Sequence, residues 1–471
     1  MQKNNLRQLF LDNFDYEPTG SQHSLIDSLV NFINNESSSK VFIIKGYAGT
    51  GKTTVVKALV KTLKRIKLKS LLLAPTGRSA KVLNIYSEKK AYTIHRKIYK
   101  MSLEDGGLGR FVLGTNTYSD TFFIVDEASM ISNSSSDISV FGSGRLLDDL
   151  IKFVYNEKRC FLILIGDTAQ LPPVGLDVSP ALDIKVLQQY NLNVDEIILT
   201  EVVRQSIDSG ILANATIIRN IISKKKAITP KFKLAKFNDI KKVCGSELLE
   251  EISNSYDKYG MEDTIIVCRS NKRANLYNQG IRNQILWRED EISTGDYIMI
   301  VKNNYFWSDK IKEIEFIANG DIVQIVRIHK KQECYGHRFA DVTIRLIDYD
   351  DIELDVKIIL DTLTSNSPSL SSAENKQLFM SVMQDYEGID NKIDKIKNDP
   401  FFNAMQIKFA YAVTCHKAQG GQWKSVFIDQ DYFVPDMMNI EYLRWMYTAV
   451  TRSTEKLYLV NFNDSFFSEK E

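Results

Sequence analysis

The run Gly46-Tyr47-Ala48-Gly49-Thr50-Gly51-Lys52-Thr53 constrains this chain more than any other feature. It fits the phosphate-binding pattern G-x-x-x-x-G-K-[ST] in full. Val41-Phe42-Ile43-Ile44 reads as a buried strand leading in, and Thr53 to Leu63 as a helix leading out. Gly46, Gly49 and Gly51 let the backbone wrap a phosphate chain, with N–H groups such as those of Ala48 and Thr50 pointing inward. The helix N-terminus at Lys52, Thr53 and Thr54 adds partial positive charge at the same place. Lys52 is placed to reach the outer phosphates, and the Thr53 hydroxyl to hold Mg²⁺. The implied ligand is a nucleoside triphosphate.

The 471 residues leave room for two to four domains. With 44% hydrophobic and 25% charged residues, the balance is that of a water-soluble globular protein. No apolar run approaches membrane-spanning length and the start MQKNNLRQLF has no apolar signal core, so the expected location is cytoplasmic, with no membrane partner. Cys160, Cys244, Cys268, Cys334 and Cys415 form no C-x-x-C pair, which gives no indication of a zinc site or a disulfide framework. The formal net charge of +1 is not that of a chain coated in basic charge. Lys and Arg nevertheless cluster over 78–100, 224–242 and 269–288, and nucleic acid held in a cleft needs only local positive charge.

The first third alternates strands and helices, with apolar runs at Val41–Ile44, Ser70–Ala74, Thr121–Val125 and Phe161–Ile165. Such runs suit a parallel sheet covered on both faces, where function sits at the carboxyl ends of the strands. Between Tyr99 and Asp120 a Gly-rich stretch predicts a hairpin excursion with Asp105-Gly106-Gly107 at its tip. A second α/β pattern uses Thr264–Cys268, Lys408–Val413, Ser425–Ile428 and Lys456–Val460. Between these, alternating runs such as DVTIRLID predict small antiparallel β structure, and Leu363–Lys376 reads as a linker or exposed loop.

Phe122-Phe123-Ile124-Val125-Asp126-Glu127 is an apolar strand ending in two carboxylates, about 75 residues after the phosphate loop. Asp126 suits the Mg²⁺ water shell, and Glu127 suits a base that orients and deprotonates an attacking water. A further strand ends at Gly166-Asp167, and Gln170 follows in a loop closed by Pro172 and Pro173, where an amide can sense the γ-phosphate.

With these motifs in order, the chain resembles a superfamily 1B helicase of the RecD/Dda-like branch. Leu73–Ala80 resembles the motif that follows the phosphate loop, and Thr93-Ile94-His95-Arg96 a DNA-contacting motif. Leu199–Gln205 is similar to the stretch carrying a first arginine finger, Val413–Gly420 to the fifth motif and Tyr447–Arg452 to the sixth. The resemblance spans Gln22 to Val460. It implies two RecA-like cores: 1–200 with a hairpin insertion at about 98–120, and 201–294 with 406–471, with 295–405 an inserted β-barrel and connector.

The resemblance also implies residue roles. Gln22 would read adenine, Lys52, Glu127, Gln170, Arg204 and Arg452 would be catalytic, and Thr53 and Asp126 would hold Mg²⁺. Pro75, Thr76, His95, Thr414, His416 and Lys417 would hold single-stranded DNA through phosphate and sugar contacts. His416 is alternatively a buried structural histidine. Gln422 stands where the family often carries an acidic residue, in a position assigned to nucleotide contact. Phe111 or Tyr118 of the hairpin either stacks on a base or packs internally. The implied activity is ATP-dependent 5′→3′ DNA unwinding by a monomer. The implied partners are ATP, Mg²⁺, single-stranded DNA and single-strand/duplex junctions, together with single-strand-binding or replication and repair proteins in a nucleoid-associated setting. An RNA helicase, or a translocase that displaces proteins with little unwinding, would carry nearly the same motifs.

Overall fold

The computed structural model describes residues 3–102, 110–134, 142–156, 159–203, 208–308, 311, 316–347, 349, 351–389 and 391–467. Its first third supplies β1 (Lys40–Gly46), β2 (Lys69–Ala74), β3 (Ala91–Thr93), the hairpin β4 (Tyr99–Ser102) and β5 (Arg110–Leu113), then β6 (Thr121–Val125), β7 (Cys160–Gly166) and β8 (Asn193–Leu199). All but the hairpin join one parallel sheet in the order β3-β2-β6-β7-β1-β8. Period-two alternation sends Phe42, Ile44, Phe122, Ile124, Ile163 and Ile165 into a core on one face. Val41, Ile43, Phe123, Val125, Leu162 and Leu164 go to the other. That two-sided burial is why these strands read as unbroken apolar runs. The hairpin forms as expected, although its expected tip at Asp105–Gly107 lies outside the described residues.

The second part holds β9 (Ile240–Val243), β10 (Thr264–Cys268), β11 (Tyr297–Ile300), β12 (Ile322–Cys334), β13 (His337–Leu346), β14 (Ile352–Ile359), β15 (Met405–Phe409), β16 (Ala412–Thr414), β17 (Trp423–Asp429) and β18 (Ser453–Val460). A parallel sheet runs β16-β10-β17-β18-β9, and β11 to β15 close a five-stranded barrel. The fold is therefore α/β with two RecA-like parallel-sheet cores and a small barrel inserted in the second. The expected strand Lys408–Val413 is in fact two. Met405–Phe409 completes the barrel and Ala412–Thr414 joins the second sheet. The chain changes sheet at Ala410-Tyr411, where the Tyr411 hydroxyl donates to buried Asp296. Asp296 also binds Arg282 and Arg288, which ties the barrel entrance to the second core. Barrel residues such as Ile298, Val323 and Ile344 share one cluster with Ile266, Cys268 and Phe427 of the second sheet.

The segment read as a linker is irregular over 365–371 and helical at both ends. Ser371 and Glu374 form a capping box that starts the helix Ser372–Gln384. Leu378 and Val382 of that helix pack with Phe339, Ile359 and Ile396 in a satellite core. The S-x-x-E signal was present in the sequence; Ser- and Asn-rich flanks concealed it. Among the described residues, no helix is long and apolar enough to cross a membrane.

Candidate nucleotide site and nucleic-acid face

The phosphate loop leaves β1 at the carboxyl edge of the first sheet and enters the helix Lys52–Arg65. Gly49 and Gly51 adopt left-handed backbone, with φ of 74° and 78°. A Cβ on Gly51 would overlap the Gln22 amide, so this turn requires glycine. Lys52 Nζ donates to the carbonyls of Gly46 at 2.7 Å and Tyr47 at 3.0 Å, holding the ammonium over the loop. Thr53 is exposed at the helix start and Thr54 half-buried behind it. Both heteroatoms of the buried Gln22 amide are engaged within the protein. Its Nε2 donates to the Thr50 carbonyl at 3.1 Å, and its Oε1 accepts the Thr19 N–H at 2.9 Å in a capping box. In this geometry Gln22 braces the phosphate loop.

Asp126 and Glu127 leave β6 next to the loop. One Asp126 oxygen accepts the Glu127 N–H at 2.8 Å and the other accepts the Tyr86 hydroxyl. Glu127 is held in left-handed backbone, φ 52°, a conformation that costs a non-glycine residue roughly 1–3 kcal/mol and is concentrated at functional sites. Desolvation pushes its carboxyl above the ordinary range. Arg452 and Lys52 pull it down, while Asp126 and Asp167 push it up. A carboxyl tuned upward in this way suits a base working near neutral pH. Behind it, Gln170 is buried and its Oε1 has no hydrogen-bond partner among the described atoms. An unpaired buried acceptor is costly unless a ligand or water completes it.

The second core reaches into this site. Apolar Ala169 and Leu171 of the Gln170 loop sit in the main cluster of the second core. From the helix Ile440–Val450, the Tyr447 hydroxyl accepts the Ala48 N–H at 2.9 Å and donates to Asp167 at 2.7 Å. Thr448 Oγ1 accepts the Leu171 N–H, and Gln419 donates to the Leu171 carbonyl. Arg452 is buried, with Nε on the Thr448 carbonyl and Nη1 on the Gly421 carbonyl, both at 3.1 Å. Arg219, on the helix Gly210–Ser223, lies 4.6 Å from the Tyr47 ring. Arg204, the other expected finger, falls outside the described residues. Tyr86, Arg219, Gln419, Tyr447 and Thr448 were not singled out from the sequence. Gln419, Tyr447 and Thr448 stand inside motifs that were, so a closer reading could have found them.

The loop carboxyl to β2 and the segment carboxyl to β16 meet on another face. A Cβ on Gly420 would lie 3.2 Å from Thr76 Oγ1. Arg78, beside half-buried Pro75 and Thr76, donates to the Gln422 carbonyl and stacks 4.1 Å from the Trp423 ring centroid. Gln422 is exposed, and its backbone takes part in this contact between the cores. Thr414 is half-buried and His416 exposed, so His416 is not a buried structural histidine. Lys417 donates to Asn319 of the barrel at 2.6 Å, and burial lowers its ammonium to about 8. His95 is half-buried on the short helix Ile94–Ile98, its ring 5.7 Å from Tyr99, and burial lowers it to about 4. In the hairpin, Phe111 packs 4.1 Å from Tyr305 of the loop that follows β11, and Tyr118 packs edge-on against Phe123. Both aromatics are engaged inside the protein.

Together these features define a P-loop class of fold in which two parallel-sheet cores share one cleft. Family comparisons agree with that class. Residues 31–176 match an AAA domain, and residues 409–460 match a UvrD-like helicase C-terminal domain. The chain is 26% identical to the RecD subunit of the RecBCD enzyme from Buchnera aphidicola, over 94% of this chain and 72% of that one. It is 25% identical to the ATP-dependent DNA helicase dda of Enterobacteria phage T4, over 82% of this chain and 86% of that one. Among solved structures it is similar to a Pif1 helicase from Bacteroides in complex with ADP-AlF3 and ssDNA, with 15% identity, a TM-score of 0.48 and coverage of 97% and 95%. These matched domains and relatives make the chain similar to superfamily 1B helicases of the RecD/Dda-like branch.

Proposed function

We propose that this protein moves 5′→3′ along single-stranded DNA and separates duplex ahead of it by hydrolysing ATP. The observation that carries the reading is the shared cleft. Arg452 of the second core lies close enough to Glu127 of the first to lower its carboxyl, so full catalytic electrostatics require both cores together. The working units in this reading are 1–200, 201–294 with the segment after β15, and the inserted barrel.

The residues present fit Mg-ATP. Gly49 and Gly51 hold the phosphate loop in left-handed turns, Gln170 Oε1 is unpaired, and Thr53 and Asp126 supply the hard oxygen donors that Mg²⁺ prefers. A bound Mg²⁺ would supply positive charge against the phosphates. Thr53 and Asp126 would hold it, with Tyr86 and the Glu127 amide fixing the Asp126 carboxylate. Gly46, Gly49, Gly51 and Thr54 would form the backbone cradle, which Gln22 braces, while in this structure the Ala48 N–H is taken by the Tyr447 hydroxyl and the Thr50 N–H by the Tyr47 carbonyl. Lys52 and Arg452, joined by Arg204, would stabilise transferring charge, while Glu127 takes the proton of the attacking water and Gln170 orients that water. Opening and closing of the cores would then move a strand held by Pro75, Thr76, His95, Thr414, His416 and Lys417. Phosphate and sugar contacts of this kind give weak sequence preference.

The test is strand separation on partial duplexes bearing a 5′ or a 3′ single-stranded tail, with ATP and Mg²⁺. Opening of the 5′-tailed substrate alone supports the motor and its direction, whereas opening from the 3′ tail overturns the direction. ATP turnover without opening of either makes the protein a translocase. Greater stimulation of turnover by RNA than by DNA of one sequence would replace the DNA assignment, since the 2′-OH is the difference read.

Lys417 gives this reading a pH signature. Its ammonium titrates at about 8 in the free protein, held down by burial, and phosphate binds the charged form. Above that pH the protein must take up a proton to bind. Single-stranded DNA affinity is therefore expected to be level below pH 7 and to fall by up to about tenfold per pH unit above 8. Lys417→Arg should remove most of that slope. Fluorescence anisotropy from pH 6.5 to 9.5 checks it, and a flat wild-type curve would remove Lys417 as a charge contact.

A further inference from the structure

Among the contacts joining the cores, one involves both the phosphate loop and the Gln170 loop. The Tyr447 hydroxyl accepts the Ala48 N–H at 2.9 Å and donates to Asp167 Oδ2 at 2.7 Å, while Asp167 Oδ1 accepts the Ala169 N–H at 2.9 Å. Tyr447 is 1% exposed, as is Asp167. One phenol from the second core therefore fixes an amide of the phosphate loop and, through Asp167, the turn that carries Gln170. Burial and the nearby Asp167 hold the phenol well above its ordinary value, so the hydroxyl stays protonated and able to donate across working pH. Ala48 and Asp167 belong to the first core and Tyr447 to the second, so separation of the cores breaks both hydrogen bonds at once. The two bonds are coupled because one hydroxyl makes both.

We propose that Tyr447 is the positioning residue that reports core closure to the hydrolytic loop: with the cores together it sets Ala48 and the Asp167–Gln170 turn for catalysis, and with the cores apart that turn is released. This rests on the reading of the chain as a nucleic-acid-stimulated ATPase. It adds a relay distinct from Arg452, since Tyr447 acts through Ala48 and Asp167 and carries no charge to the phosphates. Closure around a nucleic-acid strand would then raise turnover by ordering the Gln170 loop.

The test is Tyr447→Phe, which keeps the buried ring and removes only the hydroxyl. With saturating single-stranded DNA, kcat for ATP is expected to fall by about ten- to a hundredfold, the loss of a hydrogen bond to a charged group with its partners left unpaired. KM for ATP should change by less than about threefold, because an interaction needed for the chemical step rather than for substrate binding shows in kcat. The ATP consumed per base pair opened should rise. Asp167→Asn, in case the tyrosine variant is poorly folded, should give a similar loss, and the double variant little more than either single one. Additive losses, or a change confined to KM, would overturn the relay. If the wild type is not stimulated by single-stranded DNA, the motor reading itself fails. If it is stimulated and Tyr447→Phe matches it, only the role of Tyr447 is lost.

Discussion

Glu127→Gln is expected to lower kcat for ATP by about 10²–10⁴-fold, the usual worth of a positioned general base. The amide has the size of the carboxylate and leaves Lys52 and Asp126 in place, but it cannot take a proton from water. KM should stay near the wild-type value and the ATP-bound complex should accumulate. The pH profile gives a second readout. A base works deprotonated, so wild-type turnover should rise with pH through the Glu127 titration, which burial places above the ordinary carboxylate range. In Glu127→Gln that limb should vanish. Rapid-quench single turnovers from pH 5 to 8.5 measure both effects. An unchanged kcat would remove Glu127 as the base.

Arg452→Ala should lose more, about 10³–10⁵-fold, if this side chain neutralises transferring phosphate charge as arginine fingers do. The guanidinium is preorganised, with Nε and Nη1 each committed to a backbone carbonyl. Arg452→Lys should recover little, because an ammonium cannot reproduce a planar fork that bonds in two directions. The variant also carries a consequence for its neighbour. Arg452 is the largest influence lowering the Glu127 carboxyl, so its removal should move the acidic limb of the residual pH profile toward higher pH. Retained single-stranded DNA binding and an unchanged circular dichroism spectrum would separate this loss from misfolding. A loss below about tenfold would be too small for a finger on that scale.

Much of this site could be read before any coordinates, for a local reason. In a parallel α/β sheet each functional loop follows its own strand, so a short run encodes both the buried strand and the chemistry at its end. Gly46–Thr53, Asp126-Glu127 and Gly166–Gln170 are runs of this kind. Antiparallel β structure was legible through alternation in β13 and β14 and its barrel form only through the family resemblance, and the hairpin was legible through its glycines. Less legible were the places where one apolar run serves two neighbourhoods. Met405–Phe409 and Ala412–Thr414 form one hydrophobic stretch, and only the turn at Tyr411 divides it between barrel and sheet. The segment after Leu363 misled because Ser and Asn suggest loop, while the helix is held by Leu378 and Val382 against Phe339.

The sequence by itself determined the nucleotide loop and the paired carboxylates, because these depend on residues within a few positions of each other, and the order of such runs carried the likeness to the motor class. Only the tertiary structure decided that Gln22 braces the loop, that the backbone of Gln422 meets Arg78, that Phe111 packs on Tyr305, and that Tyr447 spans Ala48 and Asp167. In each case the partners are brought together by the packing of whole elements, and hydrogen-bond and ring geometry over such separations leaves no periodic trace in the chain.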